Sequence, residues 1–95
     1  MDFTNKVVLV TGGSRGIGRA IAQQFAERGA QVVVHYHRDL AAAEETVATL
    51  AGAGHLLVQA DMKDAEAVEK MVETAVSHYS RLDILINNAG IYEDH

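Results

Sequence analysis

A chain of 95 residues, 48% hydrophobic and 22% charged, has room for one folded unit, which at this size buries roughly 60 to 68% of its unfolded surface. The net charge of −5 carries no block of like charges, which excludes a nucleic-acid backbone as partner for the chain as a whole, and no apolar run approaches the roughly 18 to 20 residues of a membrane helix. With no cysteine there are no disulfides or thiolate zinc sites, and with no basic, apolar leader in Met1 to Lys6 the expected location is cytoplasmic.

The first element is Lys6-Val-Val-Leu-Val-Thr11, a β-branched run bounded by glycine that suits a strand buried on both faces of a parallel sheet. After it the apolar period changes to a helical one, with Ile17, Ile21 and Phe25 at steps of four and Gly29 as the stop. Gln31-Val-Val-Val-His-Tyr36 is the second strand. Leu40, Ala43, Val47 and Leu50 then form the stripe of a second helix, closed by Gly52. The third strand is His55-Leu-Leu-Val-Gln-Ala60. Asp64 is placed to cap a third helix whose apolar face is Val68, Met71, Val72, Ala75, Val76 and Tyr79, and Leu82-Asp-Ile-Leu-Ile-Asn87 is the fourth strand. The alternation β-α-β-α-β-α-β predicts an α/β fold, a Rossmann-type doubly wound parallel sheet of order 3-2-1-4. Its first two helices cover one face and its third the other, and ligand binds beyond the carboxyl ends of the strands.

The first strand runs straight into Thr11-Gly-Gly-Ser-Arg-Gly-Ile-Gly18 and then into a helix, the context in which a glycine loop binds phosphate. Gly12 and Gly16 allow a tight turn with backbone close to a pyrophosphate. Gly18 lets helix and strand approach each other, and the N–H groups and dipole at the helix start attract an anion. A nucleoside-triphosphate P-loop is excluded, because Arg19 and Ala20 stand where lysine and a hydroxyl are needed. The glycine spacing also differs from the ordinary G-x-G-x-x-G fingerprint.

That loop, T-G-x-x-x-G-x-G, together with Asn87-Asn-Ala-Gly90 after the fourth strand, resembles the short-chain dehydrogenase/reductase family over essentially the whole chain. The loop is most similar to those of 3-oxoacyl-acyl carrier protein reductases and their relatives. The resemblance implies a nicotinamide-dependent oxidoreductase that interconverts a carbonyl and an alcohol by hydride transfer. It implies that Gly12, Gly16 and Gly18 face the pyrophosphate, with Ser14 and Ile17 adding loop contacts. Asp61 would accept from the adenine amino group and the backbone at Met62 would complete adenine recognition. Asn87 would tie neighbouring strands, and Asn88, Ala89 and Gly90 would pass beside the ribose. It also implies a small-molecule substrate and a homo-oligomeric parent.

Sites that prefer NAD(H) place a carboxylate at the end of the second strand; here that place reads His35-Tyr36-His37-Arg38. Without a carboxylate there, and with Arg15 and Arg38 able to converge on a 2′-phosphate as charge-assisted donors, NADP(H) is the expected cofactor. Asp39 departs from a purely basic pattern and would weaken the preference if it faced the ribose. His35 and His37 share one side of a strand end, as a metal pair would, but no third ligand follows at a suitable spacing, so no metal is expected.

The family's catalytic tyrosine and its lysine four positions on are not present: Leu40 and Asp83 follow Tyr36 and Tyr79, and the position for Tyr92 lies past His95. No catalytic residue is therefore expected within 1–95. The expectation is the N-terminal dinucleotide-binding part of a larger single domain, without the catalytic half and inactive alone. A free-standing nucleotide-binding module and an interaction fragment pairing through Leu82 to Asn87 are the alternatives.

Overall fold

The computed structural model describes residues 2–88. Four strands and three helices alternate along the chain: β1 (Val7–Val10), α1 (Gly16–Glu27), β2 (Gln31–Tyr36), α2 (Leu40–Thr49), β3 (Leu56–Gln59), α3 (Ala65–Tyr79) and β4 (Ile84–Ile86). The strands form one sheet of order β3-β2-β1-β4, every pair parallel. Leu9 sits in register with Val33 on one side and Leu85 on the other, and Val34 with Leu57. This is the Rossmann-type order expected from the alternation of periods.

Side chains alternate across each strand, so neighbouring residues serve different layers. Val8, Val10, Val32 and Val34 pack with Ala22 and Ala26 of α1 and Ala43 of α2. Val7, Leu9, Val33 and Val58 pack with Met71 and Ala75 of α3. All four residues of β1 are buried, as a strand covered on both faces must be.

β2 has the bounds expected of it, while β1, β3 and β4 are shorter than their apolar runs, and side chains take over at some of the ends. Val32 donates its N–H to Nδ1 of the His55 ring at 3.0 Å, where a continued strand would supply a carbonyl. Asp83 Oδ2 likewise accepts from Val7 N–H at 2.8 Å while Arg81 donates two bonds to the same carboxylate, at 2.9 and 2.8 Å. That pairing holds the Asp83 carboxyl below its ordinary pKa.

Three stripe residues lie outside the core: Ile17, Leu40 and Val76 are 54%, 47% and 42% exposed. The buried row of α1 is Gly18, Ala22 and Ala26, with Ile21 and Phe25 on its flanks. The helix axis lies so close to the sheet that only small residues fit beneath it, and the bulky ones are displaced to the sides. On α2 the buried pair is Ala43 and Thr46, a polar residue the apolar pattern passes over.

Candidate functional site

The glycine loop leaves the carboxyl end of β1, where the chain's crossovers part: β2 lies on one side and β4 on the other. In a parallel sheet this switch point is the ligand crevice. Gly12 and Gly16 have φ of 64° and 59°, the left-handed region that glycine enters without steric cost. Gly18 is buried for a different reason. A Cβ there would stand 2.1 Å from the Gly12 carbonyl oxygen and 2.7 Å from Asn88 Nδ2, so helix, loop and the end of β4 meet at a point with no room for a side chain.

Polar contacts hold the loop from three sides. Gly12 N–H donates to His35 Nδ1 at 2.9 Å, and Gly13 N–H donates to the His35 carbonyl at 3.0 Å. On the β4 side Asn88 Nδ2 donates to the Gly12 carbonyl at 3.2 Å, and Asn88 N–H donates to Thr11 Oγ1 at 2.8 Å. The Thr11 hydroxyl donates to the Ile86 carbonyl and Asn87 Oδ1, at 3.2 and 3.3 Å, so Asn87 ties β4 to β1 as the family resemblance implies. From the helices, Arg19 Nη2 of α1 and Thr46 Oγ1 of α2 donate to the Ser14 carbonyl at 2.8 and 2.9 Å, and Arg19 Nε donates to Thr46 Oγ1 at 2.8 Å. Thus Ser14 contributes its backbone oxygen to the frame of the loop.

The start of α1 differs from those of the other helices. Asp64 accepts from Glu66 and Ala67 N–H at the start of α3, and Asp39 accepts from Ala42 N–H at the start of α2. Arg15, at the start of α1, provides no side-chain cap, and no carboxylate lies in the first turn. Arg15 thus adds no negative or capping group of its own to a helix end whose dipole favours an anion.

At the end of β2, Tyr36 is half-buried on the α1 and α2 side, while His37 and Arg38 are exposed. Arg15 and Arg38 are not brought together by a shared contact. Arg15 Nη2 instead reaches Asp39 Oδ2 at 2.7 Å, while the other oxygen of Asp39 caps α2 at 2.9 Å. Arg38 forms no hydrogen bond or ion pair among the described residues. Asp61 follows β3 with one oxygen accepting from Lys63 N–H at 3.0 Å and the other 3.9 Å from His37 Nε2; Met62 is half-buried against the α3 layer.

Both His35 ring nitrogens bond backbone, and among the described residues no three metal-ligating side chains gather. The expected site residues Ala89 and Gly90 lie outside the described residues. The roles of His35, Arg19 and Thr46 were not read from the sequence. Nothing in one sequence marks a strand histidine as an acceptor for a distant loop.

A family model described as short chain dehydrogenase matches residues 6–95. The chain belongs to the short chain dehydrogenase family. Among its relatives, glucose 1-dehydrogenase 2 of Bacillus subtilis is 40% identical over 91 residues, covering 94% of this chain and 35% of that protein. The 3-oxoacyl-[acyl-carrier-protein] reductase of Synechocystis is 43% identical over 94 residues, 97% of this chain and 38% of the reductase. The chain therefore spans little more than a third of these relatives. A shorter one, the short-chain dehydrogenase/reductase homolog YusS of Bacillus subtilis, is 43% identical, with 96% of this chain covering 85% of it. Among solved structures, a putative dehydrogenase from Burkholderia cenocepacia with bound NADP superposes with a TM-score of 0.85 at 41% identity, over 90% of this chain and 34% of that one. Among the described residues no helix is long and apolar enough to cross a membrane.

Proposed function

We propose that this chain is the cofactor-binding part of an NADP(H)-dependent oxidoreductase that interconverts a carbonyl and an alcohol, with 3-oxoacyl thioesters as the substrate class. The observation that carries the reading is the placement of the Gly12 to Gly18 loop at the switch point of the sheet, running into an α1 whose first turn holds no carboxylate. A second observation fits the same group: Asn88 Oδ1 is buried and has no hydrogen-bond partner among the described residues. A buried acceptor left unpaired costs about 1–3 kcal/mol, and a ribose hydroxyl is a donor of the right kind.

The pyrophosphate then lies against the glycine loop, its charge met by the start of α1. Ile17, exposed at the loop, covers the dinucleotide; Asp61 and the Met62 backbone meet the adenine; Asn88, with Ala89 and Gly90, meets the ribose. Bound nicotinamide supplies or accepts the hydride. Residues 1–95 hold no tyrosine with a lysine four positions on, so on this reading residues 1–95 expressed alone are expected to leave NADPH unconsumed in the presence of an acetoacetyl thioester. Sustained oxidation proportional to protein would reveal an unrecognised proton donor. The substrate class rests on the loop's likeness to the reductases and on the Synechocystis relative. The full protein is proposed to work as a cytoplasmic homo-oligomer.

The preference for NADP(H) rests on what Asp39 is doing. One oxygen caps α2 and the other holds Arg15, so the nearest carboxylate is committed to protein groups. An exposed pair of this kind is worth roughly 0–1 kcal/mol, and a 2′-phosphate can share Arg15 with it. Arg38 supplies a second cation. In the full-reading-frame protein, Arg38→Asp is expected to weaken NADPH by about 10- to 100-fold, the value of a charge-assisted contact replaced by repulsion. NADH should change by less than about threefold. Titration of both cofactors by fluorescence checks this, and equal losses for the two would remove Arg38 from the site.

A second reading, a short nucleotide-binding protein without catalysis, is favoured by YusS, most of whose length this chain covers. The reading frame past His95 separates the two: a tyrosine with a lysine four positions on supports the reductase.

A further inference from the structure

We propose that His35 is a positioning residue for the glycine loop, its neutral ring setting the height at which residues 12–18 meet a phosphate. The proposal rests on the reading of that loop as the dinucleotide site. His35 lies at the end of β2 on the α3 side and is 2% exposed. Its Nδ1 accepts the Gly12 N–H at 2.9 Å, and its carbonyl accepts the Gly13 N–H. An imidazole that accepts at Nδ1 and is neutral carries its proton on Nε2. That nitrogen lies 2.8 Å from the Ala60 carbonyl and donates to it. One ring therefore links three segments: the phosphate loop, β2 and the end of β3, where Asp61 follows. Gly12 is gripped on both its flanking peptides, its N–H by His35 and its carbonyl by Asn88.

Protonation would destroy this arrangement. The imidazolium carries N–H on both nitrogens and would face the Gly12 N–H donor to donor. Burial, with a contribution from His37, holds the His35 pKa below its ordinary value. Residues 7–14 of β1 and its loop carry no titratable side chain. On the β3 side the Asp61 carboxylate lies beside His37, and at the start of α3 Asp64 and Glu66 are exposed. The neutral form thus holds the loop at neutral pH, and the hold is lost as the pH falls from the ordinary histidine range through the depressed pKa. Folding stability moves in the same direction, since the unfolded chain takes up the proton first.

The test measures binding of NADH, which has no 2′-phosphate to titrate, to the full-reading-frame protein between pH 5 and 8, with NADPH as a second probe at pH 7.5. His35→Phe keeps the ring volume and removes both bonds, and His35→Asn keeps one acceptor and one donor. The expected result is a loss of about tenfold or more in affinity for His35→Phe, partial recovery in His35→Asn, and a fall in wild-type affinity toward pH 5 that His35→Asn lacks. If the wild type binds neither cofactor, the dinucleotide reading fails and this proposal with it. If the wild type binds and both variants match it in affinity and pH profile, the proposal alone fails. Should neither variant fold, the ring 15N spectrum of the wild type decides: an unprotonated Nδ1 and protonated Nε2 at pH 7.5 support the arrangement, and the reverse tautomer overturns it.

Discussion

Alanine at Gly18 is expected to cost the full-length protein about 3 kcal/mol or more, at or above the upper end of ordinary overpacking, and to lower its melting temperature by roughly 10 °C. The added Cβ would sit 2.1 Å from the Gly12 carbonyl oxygen and 2.8 Å from its carbon, both backbone atoms of a loop already held by His35 and Asn88. It would also meet Asn88 Nδ2 at 2.7 Å, and that side chain is buried and bonded to the same carbonyl. None of these neighbours is the free end of a flexible chain, so α1 must move away from β1 and carry its first turn out of register with the loop. Because phosphate affinity depends on the N–H groups of that turn, dinucleotide binding should weaken by at least about 100-fold, nearly 3 kcal/mol. Gly13→Ala is the control. Its Cβ meets Val34 Cγ1 at 3.1 Å and the Val10 carbonyl oxygen at 3.3 Å, contacts that small shifts relieve. Melting curves and cofactor titrations of the two variants check the expectation. Equal effects would mean that the loop does not depend on the close approach at Gly18.

That glycine's role was legible from spacing alone, because one feature, the missing side chain, serves one contact between adjacent elements. The order of the sheet was legible for a similar reason: continuous apolar runs and helical periods follow one another without ambiguity, and parallel strands joined by helices leave few topologies. The ends of elements were harder. His55 and Asp83 replace backbone partners with side chains, and nothing in their own neighbourhood of the sequence announces it. Ile17 fits a helical period of apolar residues, yet α1 buries Ala22 and Ala26 instead, because its distance from β1 is set by Gly18, and on α2 Leu40 is exposed while Ala43 and Thr46 are buried. The site shows the same division. The residues proposed to face the pyrophosphate lie in a motif of eight positions, while most of those that hold the motif are distant from it, His35 and Asn88 at 23 and 76 positions from Gly12 and Thr46 at 32 from Ser14. Arg15 illustrates the limit: its charge was readable, but its partner Asp39 depends on where α2 begins.

Residues 1–95 expressed alone are expected not to form a stable monomer. β1 and β4 are neighbours with matched registers, yet their environments differ. Val7 to Val10 are at most 3% exposed, whereas none of Ile84, Leu85 and Ile86 is buried. Leu85 pairs with Leu9, so it stands on the face where α3 is the only described helix, and it is 54% exposed where Leu9 is fully buried. β4 is also an edge of the sheet, with one row of its backbone groups unpaired by any described strand, an arrangement that invites pairing with another chain. Full burial of an aliphatic side chain of this size contributes roughly 1.5–3 kcal/mol. Three such residues short of burial forgo several kcal/mol, against a total near 5–14 kcal/mol at roughly 0.05–0.15 kcal/mol per residue. The isolated chain should therefore associate through β4 or melt without cooperativity. Sedimentation velocity over a concentration series, with thermal melts at each concentration, checks this. Leu85→Lys should shift associated species toward monomer, since a lysine on an edge strand opposes pairing. A wild-type 95-mer that stays monomeric at every concentration and melts cooperatively would show that β4 needs no further cover.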